Sequence, residues 1–107
     1  MTVIAEHRLD VADAPEVVSV RVYAPRQHSV AGAWICRFEV DGGMEAALNV
    51  EGETSLQALS LALKGLAAVL YGSDLYRSGR LGLFGDFSGF LGIPAPSIFL
   101  DEAPFPF

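Results

Sequence analysis

A single cysteine, Cys36, in 107 residues leaves no partner for an internal disulfide. A chain stabilised without one suits a reducing compartment. Basic residues are also scarce: seven Lys and Arg face thirteen Asp and Glu, for a net charge of −6. Nucleic-acid sites leave a basic footprint and anionic membrane surfaces attract the same residues, so neither partner is expected. One Cys and two His at unpatterned positions do not make a zinc site, and the glycines at 82, 85, 89 and 92 do not make a phosphate-binding loop. No apolar run reaches the roughly 20 residues of a membrane span. Glu6, Arg8 and Asp10 fall where a signal peptide would have its apolar core. The expectation is a cytoplasmic protein with no cofactor.

What the chain has instead is apolar surface. Hydrophobic residues make up 51% of it, and its mean hydropathy of +0.38 is high for a small soluble monomer. At this length one domain is expected, with much apolar surface left over after folding. The longest patterned stretch is Ser55–Tyr71, SLQALSLALKGLAAVLY. At about 100° per residue, Gln57, Ser60, Lys64 and Tyr71 form one polar stripe, and Leu56, Leu59, Leu63, Leu66 and Leu70 cluster almost opposite. Ala58, Ala62 and Val69 widen the apolar arc and Leu61 extends it, so a single sheet cannot cover the helix. Thr54 and Gln57 have capping-box spacing. Gly72 stands where a left-handed C-cap is wanted. Gly65, costly in mid-helix, implies a close packing contact.

Ahead of the helix the pattern alternates. Val3, Ala5, His7, Leu9 and Val11 share one face of a first strand. Val18, Val20 and Val22 share one face of a second, over residues 17–24. Trp34, Cys36, Phe38 and Val40 point inward from a third, and Met44, Ala46, Leu48 and Val50 from a fourth. Asp41-Gly42-Gly43 is a hairpin signal, and residues 25–32 read as a loop. The predicted fold class is α+β: a four-stranded antiparallel meander over residues 3–51, with the helix of residues 54–72 on its inner face. Val20, Trp34, Phe38, Leu48, Leu59 and Leu63 are expected in one core. Glu6, Arg8, Arg21, Arg37, Glu39 and Glu45 form an outer face whose mixed charges can pair across strands.

Residues 73–107 are rich in Gly, Phe and Pro and too aromatic for a disordered segment. They are expected to cover the open helix flank. Residues 97–100 read as a short strand.

Trp34-Ile35-Cys36-Arg37-Phe38-Glu39-Val40, the run Ser55-Leu56-Gln57-Ala58-Leu59-Ser60-Leu61-Ala62-Leu63 and Leu91-Gly92-Ile93-Pro94 together resemble small bacterial proteins classed only as a domain of unknown function. The resemblance spans roughly residues 3–94. It implies no catalytic residues, so nothing functional carries over from it.

No catalytic constellation is evident. Cys36 and His7 both fall on inward strand faces with no third orienting group, so they read as core residues rather than a thiol–imidazole pair. His28 reads as an exposed loop side chain. Asp74 and Asp86 lack any sign of the facing geometry that paired carboxylates need. The expected function is a non-enzymatic protein-interaction module, oligomeric and most simply a homodimer. Its interface would be drawn from Phe84, Phe87, Phe90, Phe99, Phe105 and Phe107. The alternative is a small apolar-ligand binder with a pocket between the helix, Trp34 and the Phe-rich segment.

Overall fold

A computed structural model describes residues 1–28 and 32–95. Four long strands carry the sheet: β1 (Val3–Val11), β2 (Val17–Tyr23), β4 (Trp34–Asp41) and β5 (Ala46–Gly52). All pair antiparallel, β1 with β2, β2 with β4 and β4 with β5, in registers such as His7 with Val20 and Phe38 with Leu48. Among the described residues the sheet has six strands rather than the four expected. The two additions are only two residues long. Within the expected loop, β3 (Arg26–Gln27) runs beside the start of β4, and β6 (Leu81–Gly82) lies against the end of β1. Each uses a stretch of strand edge that the long neighbours leave open. After the sheet come the long helix α1 (Ser55–Tyr71) and the single turn α2 (Asp74–Arg77).

The strand parity read from the sequence is the observed one at the centre of the sheet. Val18, Val20, Val22, Cys36, Phe38 and Val40 are all buried. They join one core with Leu9 and Val11 of β1, residues of α1, and Leu81 and Leu91 from the C-terminal part. Trp34, Leu59 and Leu63 pack on that core partly buried. Leu48 departs from the expectation at 48% exposed. It pairs with the buried Phe38, but among the described residues β5 has a strand neighbour on one side only, which leaves Leu48 at the sheet edge.

The helix turns a different face to the sheet than its leucine cluster suggests. Its buried residues are Ala58, Ala62, Leu66, Ala67, Leu70 and Tyr71, while Leu56 is 70% exposed. Small residues bring the helix axis close to the strands. A Cβ at Gly65 would sit 3.4 Å from Cε2 of Phe38, so the contact implied by this glycine is with the largest fully buried side chain.

The N-terminal cap forms as read. Thr54 accepts from the backbone N–H of Gln57 at 3.0 Å, and the Gln57 side chain accepts from the backbone N–H of Glu53, one residue earlier than in the standard box. The C-terminal cap does not. Gly72 has φ −86° instead of a left-handed value, because the chain passes directly into Ser73, the N-cap of α2.

Tyr71, which shares the polar stripe of the sequence, is also buried. Its hydroxyl donates to the carbonyl of Ile93 at 2.6 Å and accepts from the N–H of Leu91 at 3.2 Å. Tyr76 donates to the carbonyl of Gly89 at 3.0 Å. Residues 89–93 are thus strapped across the end of the helix. Among the described residues no helix is long and apolar enough to cross a membrane.

Candidate interaction site

Beyond β6 the chain reverses in a tight turn, and the turn carries the most exposed aromatic side chain of the described residues. Leu83 and Asp86 exchange two backbone hydrogen bonds of 2.9 Å. Phe84 and Gly85 between them have φ values of 51° and 77°. Two positive values in succession are the signature of a type I′ turn, which favours Asn-Gly because bulky side chains resist the left-handed region. Here the first position holds a phenylalanine that is 90% exposed.

The turn is anchored from β1. Asp10 accepts from the N–H of Gly85 at 2.8 Å, and Asp86 accepts from the N–H of Ser88 at 2.8 Å. Hydrogen bonding from Ser88, side chain first and backbone second, holds the Asp86 carboxyl below its ordinary range. Phe87 lies over Gly82, where a Cβ would come 2.5 Å from the ring. Its ring is about one-third exposed, and Phe90, just before the buried Leu91, is 62% exposed. Three of the six expected interface phenylalanines therefore share one short, well-tied segment that exposes its rings instead of covering the helix with them. Phe99, Phe105 and Phe107 lie outside the described residues, as do residues 97–100.

A cavity of about 180 Å³ opens farther back along β1. Its walls are Ala5, His7, Val20 and Val22 from the sheet, Leu63, Leu66 and Leu70 from the helix, and Ile93 from the strap, with Glu6 at the rim. Glu6 and His7 are its polar lining residues, and Nε2 of the His7 ring donates to the carbonyl of Leu91 at 2.8 Å. Trp34 is not part of it. That side chain borders a separate shallow depression with Pro25, Ser55, Leu56 and Leu59.

The outer face of the sheet carries a connected ion network. Glu39 accepts from the Tyr23 hydroxyl at 2.7 Å, from Arg37 at 2.9 Å and from Arg21 at 3.3 Å, while Arg21 also pairs with Asp41. The Tyr23 hydroxyl first, then Arg37 and Arg21, hold the Glu39 carboxyl below its ordinary range. Asp41 first and then Tyr23 hold Arg21 all the more firmly in its charged form. These charges are spent on one another, which suits a structural role for this face better than recognition.

Cys36 is fully buried, and its thiol donates to the carbonyl of Tyr23 at 3.3 Å. Burial pushes the thiol above its ordinary range. His7 and Cys36 stand on different strands that are not neighbours, and each is bonded to a backbone carbonyl.

The sequence marked the phenylalanines but not Asp10, which ties the turn, nor the walls of the cavity. By strand parity Asp10 falls with Glu6 and Arg8 on the outward side of β1. Only the Asp10–Gly82 register of β1 with β6 brings it to the turn.

No curated protein and no solved structure matches the chain. Residues 5–95 match the model of a family described as "Domain of unknown function (DUF6968)", and with most of its length covered the chain belongs to that family.

Proposed function

We propose that this chain is a non-enzymatic protein-interaction module and that Phe84 is its principal contact residue. The observation that carries the reading is the conformation and exposure of that one side chain. Holding a bulky residue at positive φ costs roughly 1–3 kcal/mol. Leaving a phenylalanine in water forgoes roughly 1.5–3 kcal/mol of burial. Asn at position 84 would remove both costs and keep the turn. Strain and exposure at the same residue are what a preorganised contact requires, because a ring already fixed in place loses little freedom on binding. Phe87 and Phe90, exposed in the same segment, add apolar surface.

The test places a photo-crosslinking phenylalanine analogue at position 84 and, as a control, at the exposed position 45. Cross-linking to a protein surface from position 84 alone is expected, and the same surface should be lost to the Phe84→Asn variant. Equal cross-linking from both positions, or none from 84, would refute the reading.

A further inference from the structure

The Phe84 ring and the cavity at Ala5 have matching sizes and matching chemistry. We infer that two copies of the chain associate reciprocally, the Phe84 ring of each entering the apolar cavity of the other. This deepens the reading of Phe84 as a contact residue and rests on it.

Size comes first. The cavity measures about 180 Å³, and an engineered apolar cavity of about 150 Å³ accepts benzene. A phenyl ring is therefore an occupant of suitable volume. Chemistry comes second. Val20, Val22, Leu63, Leu66 and Ile93 offer no hydrogen bonds from their side chains, and Nε2 of His7 is already engaged with Leu91. A water molecule needs 2–4 polar partners, whereas an aromatic ring needs none.

Position agrees with both. Asp10 fixes the turn that carries Phe84, and Ala5 and Glu6 are the exposed residues of the cavity wall. Four or five strand residues separate them, roughly 13–17 Å along β1 at about 3.3 Å each. On that side β1 has a strand neighbour only at Asp10 and Val11 among the described residues. Between ring and cavity runs the strap of residues 89–93, held at His7 by Leu91 and with Gly92 close to both His7 and Leu83, so a second copy packs its turn across that strap and not against a strand. A two-fold axis placed between the two features exchanges them, so both rings are seated at once and the assembly closes as a dimer. The ring cannot fill the cavity of its own chain, because the turn bonds hold it out in solvent.

Each copy carries a net charge of −6. Long-range repulsion opposes the contact and is screened by salt, so association should tighten as ionic strength rises.

Sedimentation velocity from micromolar to millimolar concentration provides the test on the full chain. Wild type should dimerise, more tightly at high salt, and saturating benzene should dissociate it. Phe84→Asn removes the ring, and Ala5→Phe fills the cavity from its exposed wall. Either variant alone loses both contacts and should weaken dimerisation by roughly 100-fold or more. An equimolar mixture of the two variants restores one ring and one cavity and should recover a heterodimer of intermediate affinity.

A wild type that stays monomeric throughout overturns the inference. If position 84 still cross-links to another protein in that case, Phe84 remains a contact residue and only self-association falls. A dimer indifferent to both variants also overturns it. So does a dimer abolished when Phe99, Phe105 and Phe107 are changed to Ser with Phe84 intact. Benzene binding to a monomer, blocked by Ala5→Phe, would assign the cavity to a small apolar ligand instead.

Discussion

Nε2 of His7 lies 2.8 Å from the carbonyl oxygen of Leu91, tying the first strand to a residue 84 positions away. A carbonyl can only accept, so the proton sits on Nε2. Together with Tyr71 and Tyr76, this bond fixes the backbone of residues 89–93 against the core. The neighbouring Gly92 has φ +90°, and a Cβ there would come 2.8 Å from His7 Nε2.

Gly92→Ala should therefore destabilise the protein by about 1–3 kcal/mol. Part of that cost is collision with the imidazole and part is backbone strain. His7→Ala has its own cost, the lost bond to Leu91, but it relieves the collision and leaves only the strain, so the double variant should be less destabilised than the sum of the two single variants. Urea denaturation of all four proteins measures the difference. Strict additivity would mean that the strap does not rest on His7.

Strand parity was legible because a half-buried strand alternates without ambiguity, as Val18, Val20 and Val22 do. The rotation of the helix was not. With leucines, alanines and valine spread around most of its circumference, periodicity alone could not say which side meets the sheet. The deciding contact, Gly65 on Phe38, joins residues far apart in the chain. Tyr71 was misplaced for a related reason. Its position in the polar stripe is real, but the backbone groups it satisfies at Leu91 and Ile93 belong to a segment with no regular pattern. The phenylalanines were recognisable as surplus apolar surface. That Phe84 would occupy a left-handed turn position was not, since the residue type argues against it.

The Gly65 contact makes a graded prediction. Its would-be Cβ stands 3.4 Å from the Phe38 ring, an ordinary contact distance. Gly65→Ala gains about 1 kcal/mol of helix propensity against slight crowding, so it should leave stability equal or higher by up to about 1 kcal/mol. Gly65→Leu overfills the site and should lose about 1–3 kcal/mol. Thermal and urea unfolding distinguish the two. A Leu variant as stable as the Ala variant would show that the helix is free to lift from the sheet.

Phe84→Asn should stabilise the folded chain by about 1 kcal/mol, because Asn-Gly suits the type I′ turn that Phe84 and Gly85 now form. The same variant should lose the interaction. Opposite signs for stability and binding at one residue separate a contact residue from a structural one. A loss of stability would place the ring in an intrachain contact instead.

Cys36 should be slow to react. Burial raises its thiol above the ordinary range and withholds the thiolate. Labelling with a thiol reagent at neutral pH is expected to be slow in the native protein and fast in denaturant. Rapid native labelling would restore a reactive role for this residue.

Acid should weaken the fold through Glu39. The Tyr23 hydroxyl, Arg37 and Arg21 all donate to its carboxylate and lower its proton affinity in the folded state. A carboxyl with a folded-state pKa below its unfolded value of about 4.3 stabilises the fold at every pH above that value. The contribution fades as pH falls through the folded-state pKa, when the carboxylate gains a proton and its three donors lose the negative charge they share. Glu39→Gln removes the titration and most of the charge pairing together. The variant should be less stable than wild type at pH 7, and the gap should close as pH falls through the lowered folded-state pKa of Glu39, where the wild-type carboxylate itself becomes neutral. Melting temperatures of both proteins at matched ionic strength measure that gap. A gap of constant size down to pH 2 would show that Glu39 acts through its packing and not through its charge.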